Sequence, residues 1–262
     1  MTSGAILFYL AEAAEVGVCA LLLYRRVWAT LPFFFVYNAW TLLSGAGNYL
    51  IFRDYPSAYA TAYLIQLIVD SILVFSVLVE VGWSILRPVR SSLPRGALVV
   101  VAGLVLAAGA AIWPFASIHG LVHSLHKIRV VAQLQQTVSI LEIVFFLALI
   151  AFSQMLSIGW RDRELQVATG LGFYSFVSMA AAMLHMHETA VSQYSHLNEV
   201  VVASYLCSLV YWIVSFSQVK SERREFTPEM QNFLLAVAGM ARATRVALTG
   251  TEDAKTQKWK DR

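Results

Sequence analysis

Seven apolar segments, each about twenty residues or longer, follow one another along the chain with short polar intervals between them. They run from Gly4 to Tyr24, Leu31 to Phe52, Ala58 to Leu86, Gly96 to Phe115, Val131 to Ile158, Gln166 to His185 and Leu197 to Val219. A segment inside hydrocarbon must satisfy its own backbone hydrogen bonds, which leaves helices or closed barrels. These runs are too long and too continuously apolar for alternating barrel strands. The predicted fold class is therefore all-α: a polytopic membrane protein with seven transmembrane helices. In a chain of 262 residues these spans leave no length for a water-soluble domain, so the bundle itself must carry the function. Only 13% of residues are charged and the mean hydropathy is +0.65, against about 25% charged in soluble domains.

Lys and Arg in the short loops set the orientation. Arg25, Arg26, Arg87, Arg90, Arg95, Arg161, Arg163, Lys220, Arg223 and Arg224 fall on one side, and Arg53, Lys127 and Arg129 on the other. The richer side is predicted to be cytoplasmic, which puts the N-terminus outside and the C-terminus inside the cell (cytoplasmic) membrane. Trp28, Trp83, Trp113, Trp160, Tyr24 and Tyr55 stand near the segment ends, where interfacial anchors belong. The first run contains Glu12 and Glu15 and has no basic region before it, so it reads as a retained span, not a signal peptide. The net charge of +3 is explained by this topology, without a nucleic-acid partner.

Residues 1–220 form the predicted transmembrane domain. In 221–262, Thr227-Pro228-Glu229 reads as a helix start. Met230, Phe233, Leu234, Val237 and Ala241 then recur on one face, with Arg242 and Arg245 off it. That pattern predicts a short cytoplasmic amphipathic helix, lying on the inner leaflet or under the bundle, followed by a disordered polar tail.

Six of the seven spans carry polar residues at helical spacing on one face. The third gives Tyr59, Tyr63, Gln66 and Asp70; the fifth Gln135, Ser139 and Glu142; the seventh Ser204, Ser208, Tyr211 and Ser215. The sixth gives Tyr174, Ser178 and His185, the second Asn38, Thr41 and Asn48, and the first Tyr9, Glu12 and Glu15. The fourth span has no such seam and is expected at the edge of the bundle. For the hydroxyls and amides the ordinary role is interhelical hydrogen bonding, worth roughly 0.6 kcal/mol each. The carboxylates need more explanation. Glu12, Glu15, Asp70, Glu80 and Glu142 lie inside spans that contain no Lys or Arg. A charge at that depth costs at least ~2.5 kcal/mol, so such groups are protonated, hydrated in a cavity or paired with a bound cation.

All six histidines map to the outer side. His119, His123 and His126 share one face if their loop is helical; with His187 and His196, and Glu188 or Glu199, they are candidate ligands for zinc or another transition metal. A histidine pair could alternatively hold haem. Cys19 and Cys207 fall inside spans and give no disulfide or zinc spacing. Retinal is excluded, because the seventh span has no lysine for a Schiff base. Zinc-dependent seven-helix hydrolases of the adiponectin-receptor and ceramidase type need a His-x-x-x-His pair on the last helix, where this chain has only His196 at the outer edge.

The segments Arg25-Arg26, Leu31-Pro32-Phe33-Phe34-Phe35-Val36-Tyr37 and Leu86-Arg87-Pro88 resemble those of a set of uncharacterised bacterial seven-span membrane proteins. That resemblance implies the topology and carries over no activity. A bland fourth span also fits a three-plus-one-plus-three plan like that of SWEET-type sugar transporters, although their Pro-Gln motif is absent.

The reading favoured by the residues is an outward-facing polar cavity that senses a small ligand or protons. Glu12, Glu15, Asp70, Glu142 and His185 form its core, and Tyr59, Tyr63, Gln66 and Asn48 its entrance. Signalling from it calls for a cytoplasmic protein partner or a homo-oligomer. The alternatives are a small-solute or proton-coupled transporter, a metal- or haem-dependent membrane enzyme, and a structural subunit of a membrane complex.

Overall fold

The computed structural model describes residues 3–86, 96–116, 126–152, 162–185 and 191–218. Among them are seven α-helices and no strand: α1 (Ser3–Tyr24), α2 (Pro32–Asp54), α3 (Pro56–Ile85), α4 (Ala97–Ile112), α5 (His126–Phe152), α6 (Arg163–His185) and α7 (Val191–Ser217). Pro32 and Pro56 stand at the starts of α2 and α3, where a missing N–H leaves no bond unmade. Arg26, at φ 53°, takes the left-handed conformation that ends α1 and turns the chain into a short 3-10 turn, Val27–Ala29. The amphipathic helix expected in 221–262 lies outside the described residues, as do His119, His123 and His187.

Five helices are long and apolar enough to cross a membrane: α3, α4 with its 3-10 extension Trp113–Ala116, α5, α6 and α7. α1 and α2 have the length, 22 and 23 residues, or roughly 35 Å at 1.5 Å per residue. α2 is diluted by Asn38, Thr41, Ser44 and Asn48, and α1 carries Glu12 and Glu15. Polarity is inverted relative to a soluble bundle. Leu43, Val99, Leu104 and Phe176 are strongly exposed, while Glu15, Asn38, Glu142 and Ser175 are buried. An apolar exterior on this scale suits lipid and not water. The chain is a helical membrane protein.

Neighbouring helices pack α1 on α2, α2 on α3, α3 on α5, α5 on α6, α6 on α7 and α7 back on α1, which closes a six-helix ring. α4 stands outside it, against α3 and α5. Its Val101 packs over Gly82 of α3, and its Val99 and Leu104 are 74% and 72% exposed. The seamless fourth segment is thus the peripheral helix.

The ring is sealed at one end. Val18 and Leu22 of α1, Phe34 of α2, Val77, Leu78 and Val81 of α3, Leu165 and Val167 of α6, and Leu209 and Trp212 of α7 are essentially inaccessible. All lie towards the end where α1, α3 and α7 finish and α2 and α6 begin. Trp212 is the keystone. Its Nε1 donates to the Gln166 carbonyl at 3.1 Å, its ring meets Phe34 edge-on with centroids 5.0 Å apart, and its indole rests on the backbone of Gly170. Ser208 Oγ donates to the Gly170 carbonyl at 3.0 Å. Polar links stitch the rim: Ser84 Oγ donates to Glu164 at 2.6 Å, and Arg25 donates to the Ser217 carbonyl.

Glu80 closes the start of α2. Leu31 offers no side-chain cap, and the backbone N–H groups of Phe33 and Phe34 donate instead to Glu80 Oε1 and Oε2, each at 2.9 Å. A carboxylate at a helix N-terminus satisfies orphan donors and matches the positive end of the dipole.

Glycine packing gives a direct test. A Cβ at Gly170 would fall on the Trp212 indole, and one at Gly172 would come within 2.7 Å of Phe146 Cβ, whereas at Gly103 of α4 nothing lies within 4 Å. Gly170→Ala and Gly172→Ala are each expected to destabilise the bundle by about 1–3 kcal/mol through overpacking. Gly103→Ala should be neutral or slightly stabilising. Thermal unfolding in detergent would separate the three.

Candidate functional site

Beyond the seal the ring encloses a cavity of about 260 Å³. α2 contributes Tyr37 and Thr41, α3 Tyr63, Gln66 and Asp70, α5 Gln135, Ser139 and Glu142, α6 Tyr174 and Ser175, and α7 Tyr205. Asp70, Glu142, Tyr174 and Tyr205 each sit near the midpoint of their helix. Among the described residues two carboxylates thus border the cavity, and no Lys, Arg or His lines it.

Each carboxylate is held differently. Asp70 Oδ1 accepts from Trp40 Nε1 at 2.7 Å. Glu142, only 5% exposed, accepts from Ser175 Oγ, and its second oxygen receives no hydrogen bond from a described residue. A carboxylate has about four acceptor sites, so one hydroxyl leaves most of them to whatever fills the cavity. Glu15, also 5% exposed, lies behind the α7 wall. Its Oε1 accepts from Tyr205 OH at 2.7 Å, and its buried Oε2 has no partner among the described residues. Tyr205 therefore joins the cavity to a third acid, and its ring meets Tyr174 edge-on at 5.3 Å.

The residues singled out from the sequence divide into groups. Asp70, Glu142, Gln66 and Tyr63 meet on the cavity. Asn48 Nδ2 donates to Gln66 Oε1 from the α2 side. Tyr59 stacks on Tyr63, centroids 6.1 Å apart, and meets Phe52 edge-on. Glu12 packs elsewhere, with its carboxylate against the α2 backbone at Gly45. His185 ends α6, and its side chain lies outside the described ones. His126 opens α5 and His196 belongs to α7. Among the described residues no three His, Cys, Asp or Glu gather as a metal site.

Several hydroxyls depart from the expectation of interhelical bonding, whereas those of Ser84, Ser175, Tyr205 and Ser208 meet it. Thr41, Ser71, Thr137 and Thr169 donate to the carbonyl four residues back in their own helices, and so does the Asn38 amide. That acceptor is always within reach of a helical side chain, whereas a partner on another helix depends on packing. Carboxylates, indoles and amides instead bridge helices: Asp70 with Trp40, Glu142 with Ser175, Glu15 with Tyr205 and Gln66 with Asn48.

Sequence reasoning missed Tyr37, Trp40, Ser175 and Tyr205 as parts of the site. Tyr37 precedes Thr41 by four residues, and Ser175 and Tyr205 precede Ser178 and Ser208 by three, so helical spacing carried a signal for those three. Trp40 lies off the Asn38–Thr41–Asn48 seam and had none.

No family model, no curated protein and no solved structure matches this chain. The site is accordingly interpreted from its own chemistry.

The Tyr205–Glu15 bond is measurable. Tyr205→Phe strips a buried carboxylate of its donor and should cost about 1–3 kcal/mol. Adding Glu15→Met removes the orphaned acceptor and should recover most of that loss. Unfolding free energies of both single variants and the double variant give the coupling, expected to exceed about 0.5 kcal/mol.

Proposed function

We propose that this chain is a seven-span protein of the cell membrane, N-terminus outside and C-terminus in the cytoplasm, that senses protons or a small ligand in an outward-facing cavity. The observation that carries the reading is the exposure of Asp70 and Glu142 to a mid-helix cavity on whose wall no basic residue stands among the described residues. Carboxylates at bilayer depth are costly unless protonated, hydrated or matched by a bound cation. Each of those states changes with what enters the cavity.

The seal supports the outward direction. Its apolar residues lie at the end that the Lys and Arg distribution assigns to the cytoplasm, so access is favoured from the opposite side. Tyr63, 43% exposed, stands at the cavity wall nearer that side. A response would pass through α2 and α3, whose Trp40–Asp70 bond borders the site and whose Glu80 cap holds the sealed end. It would be read by a cytoplasmic protein partner or by a second copy of the chain.

One observation favours a transporter: α4 lies outside two sets of three ring helices. Against it, the Phe34, Trp212 and Phe216 cluster blocks the inner half, where a permeation path would have to continue.

Trp40 provides a reporter. Acidification should protonate Asp70, weaken the charge-assisted bond from the indole and change a Trp40-dependent part of the fluorescence, isolated by comparison with Trp40→Phe. Asp70→Asn should abolish that pH response and Glu142→Gln should shift its midpoint. A response unchanged in both variants would refute the proposal.

A further inference from the structure

We infer that the cavity takes a small organic ammonium cation. This rests on the cavity being a binding site, as proposed above, and names its ligand class.

The wall is built to receive positive charge. Among the described residues its ionisable groups other than tyrosines are Asp70 and Glu142, and its remaining polar groups are hydroxyls and amides. An anion would meet two acids and no cation. The free acceptor capacity of Glu142 is the unanswered half of an ion pair or of an N–H bond: one hydroxyl partner, nearly complete burial, and a cavity beside it. Four tyrosines, Tyr37, Tyr63, Tyr174 and Tyr205, complete the wall. Aromatic faces near carboxylates favour substituted ammonium groups, which are attracted by the ring quadrupole and tolerate an apolar surround.

Other cations fit less well. A hard metal ion needs several oxygen ligands converging at about 2.0–2.6 Å, and among the described residues no three acids, histidines or cysteines converge. A cavity of about 260 Å³ leaves room for a ligand of several heavy atoms. A neutral ligand could use the amides and hydroxyls but would leave the charge of Glu142 unmatched, with Ser175 as its one donor among the described residues.

The test uses the full chain in nanodiscs at neutral pH, with two matched probe pairs: choline against its neutral carbon analogue 3,3-dimethylbutan-1-ol, and n-butylammonium against butan-1-ol. Binding is read by the thermal midpoint and by tryptophan emission. The cations should bind at least about tenfold more tightly than their neutral partners, the ratio that 1.4 kcal/mol provides. Glu142→Gln and Asp70→Asn should each weaken cation binding about tenfold or more. Tyr63→Leu, which removes the ring, should weaken cation binding several-fold more than Tyr63→Phe, which keeps it. The wild-type comparison stands even if a variant fails to fold. Equal binding of cation and neutral analogue overturns the inference. Absence of cation binding while the Asp70-dependent response of Trp40 to pH persists also overturns it and leaves proton sensing standing. Loss of both overturns the cavity reading as well.

Discussion

The seating of the Trp212 indole on the bare backbone of Gly170 is the contact on which the arrangement of the ring depends. It allows α6 and α7 to approach closely, and the same indole bonds the Gln166 carbonyl and meets Phe34 of α2 edge-on. In a bilayer the hydrophobic effect does not draw helices together, so association relies on close van der Waals packing and a few interhelical hydrogen bonds. One large aromatic against a glycine supplies both. With that end packed solid, the polar residues of the other half can remain apart around a cavity without loss of the fold.

Carboxylates inside the bundle are not equivalent, and counting their donors separates architecture from site. Glu80 receives two backbone N–H bonds at 2.9 Å from the positive end of α2. Its charge is answered by the helix, and its role is structural. Glu142 receives one hydroxyl and borders a cavity. Glu15 receives one phenol and keeps a buried oxygen without a partner among the described residues. A buried, partly answered acid costs more than an apolar residue would; retaining two of them makes sense where something else supplies the missing partner.

Much of the architecture was legible in the sequence because bilayer physics allows few solutions. Apolar runs located the helices to within a few residues at most ends, with the larger differences at the starts of α5 and α7, where polar residues such as His126 and Ser192 continue the helix beyond the apolar stretch. The bland composition of α4 pointed to the periphery, since a helix without polar groups gains nothing from a polar interior. At the site, seam periodicity brought out Tyr63, Gln66, Asp70 and Glu142, because four-and-three spacing fixes the face of a helix. It grouped Glu12 and Glu15 with them as one stripe, and that stripe is wide enough that Glu12 packs on α2 at Gly45 while Glu15 turns to Tyr205 of α7. Partners across helices, such as Trp40 for Asp70, depend on how faces are rotated against one another, which one-dimensional spacing does not encode.

The bonding pattern also bears on how an event in the cavity could reach the far end. α2 begins under Glu80 of α3 and presents Trp40 to Asp70 of the same helix, so two carboxylates on α3, ten residues apart in sequence, grip α2 at two heights. The grip at Glu80 is answered by the start of α2; the one at Asp70 faces the cavity. Neutralising Asp70 would weaken one grip and leave the other, which favours a pivot of α2 about its capped start over a translation along its axis. Such a pivot would turn Phe34 in place, at the fulcrum, against the edge of Trp212. A differential stabilisation of about 1.4 kcal/mol between two packings is enough for a tenfold change in their populations, well within what one charge-assisted bond can supply.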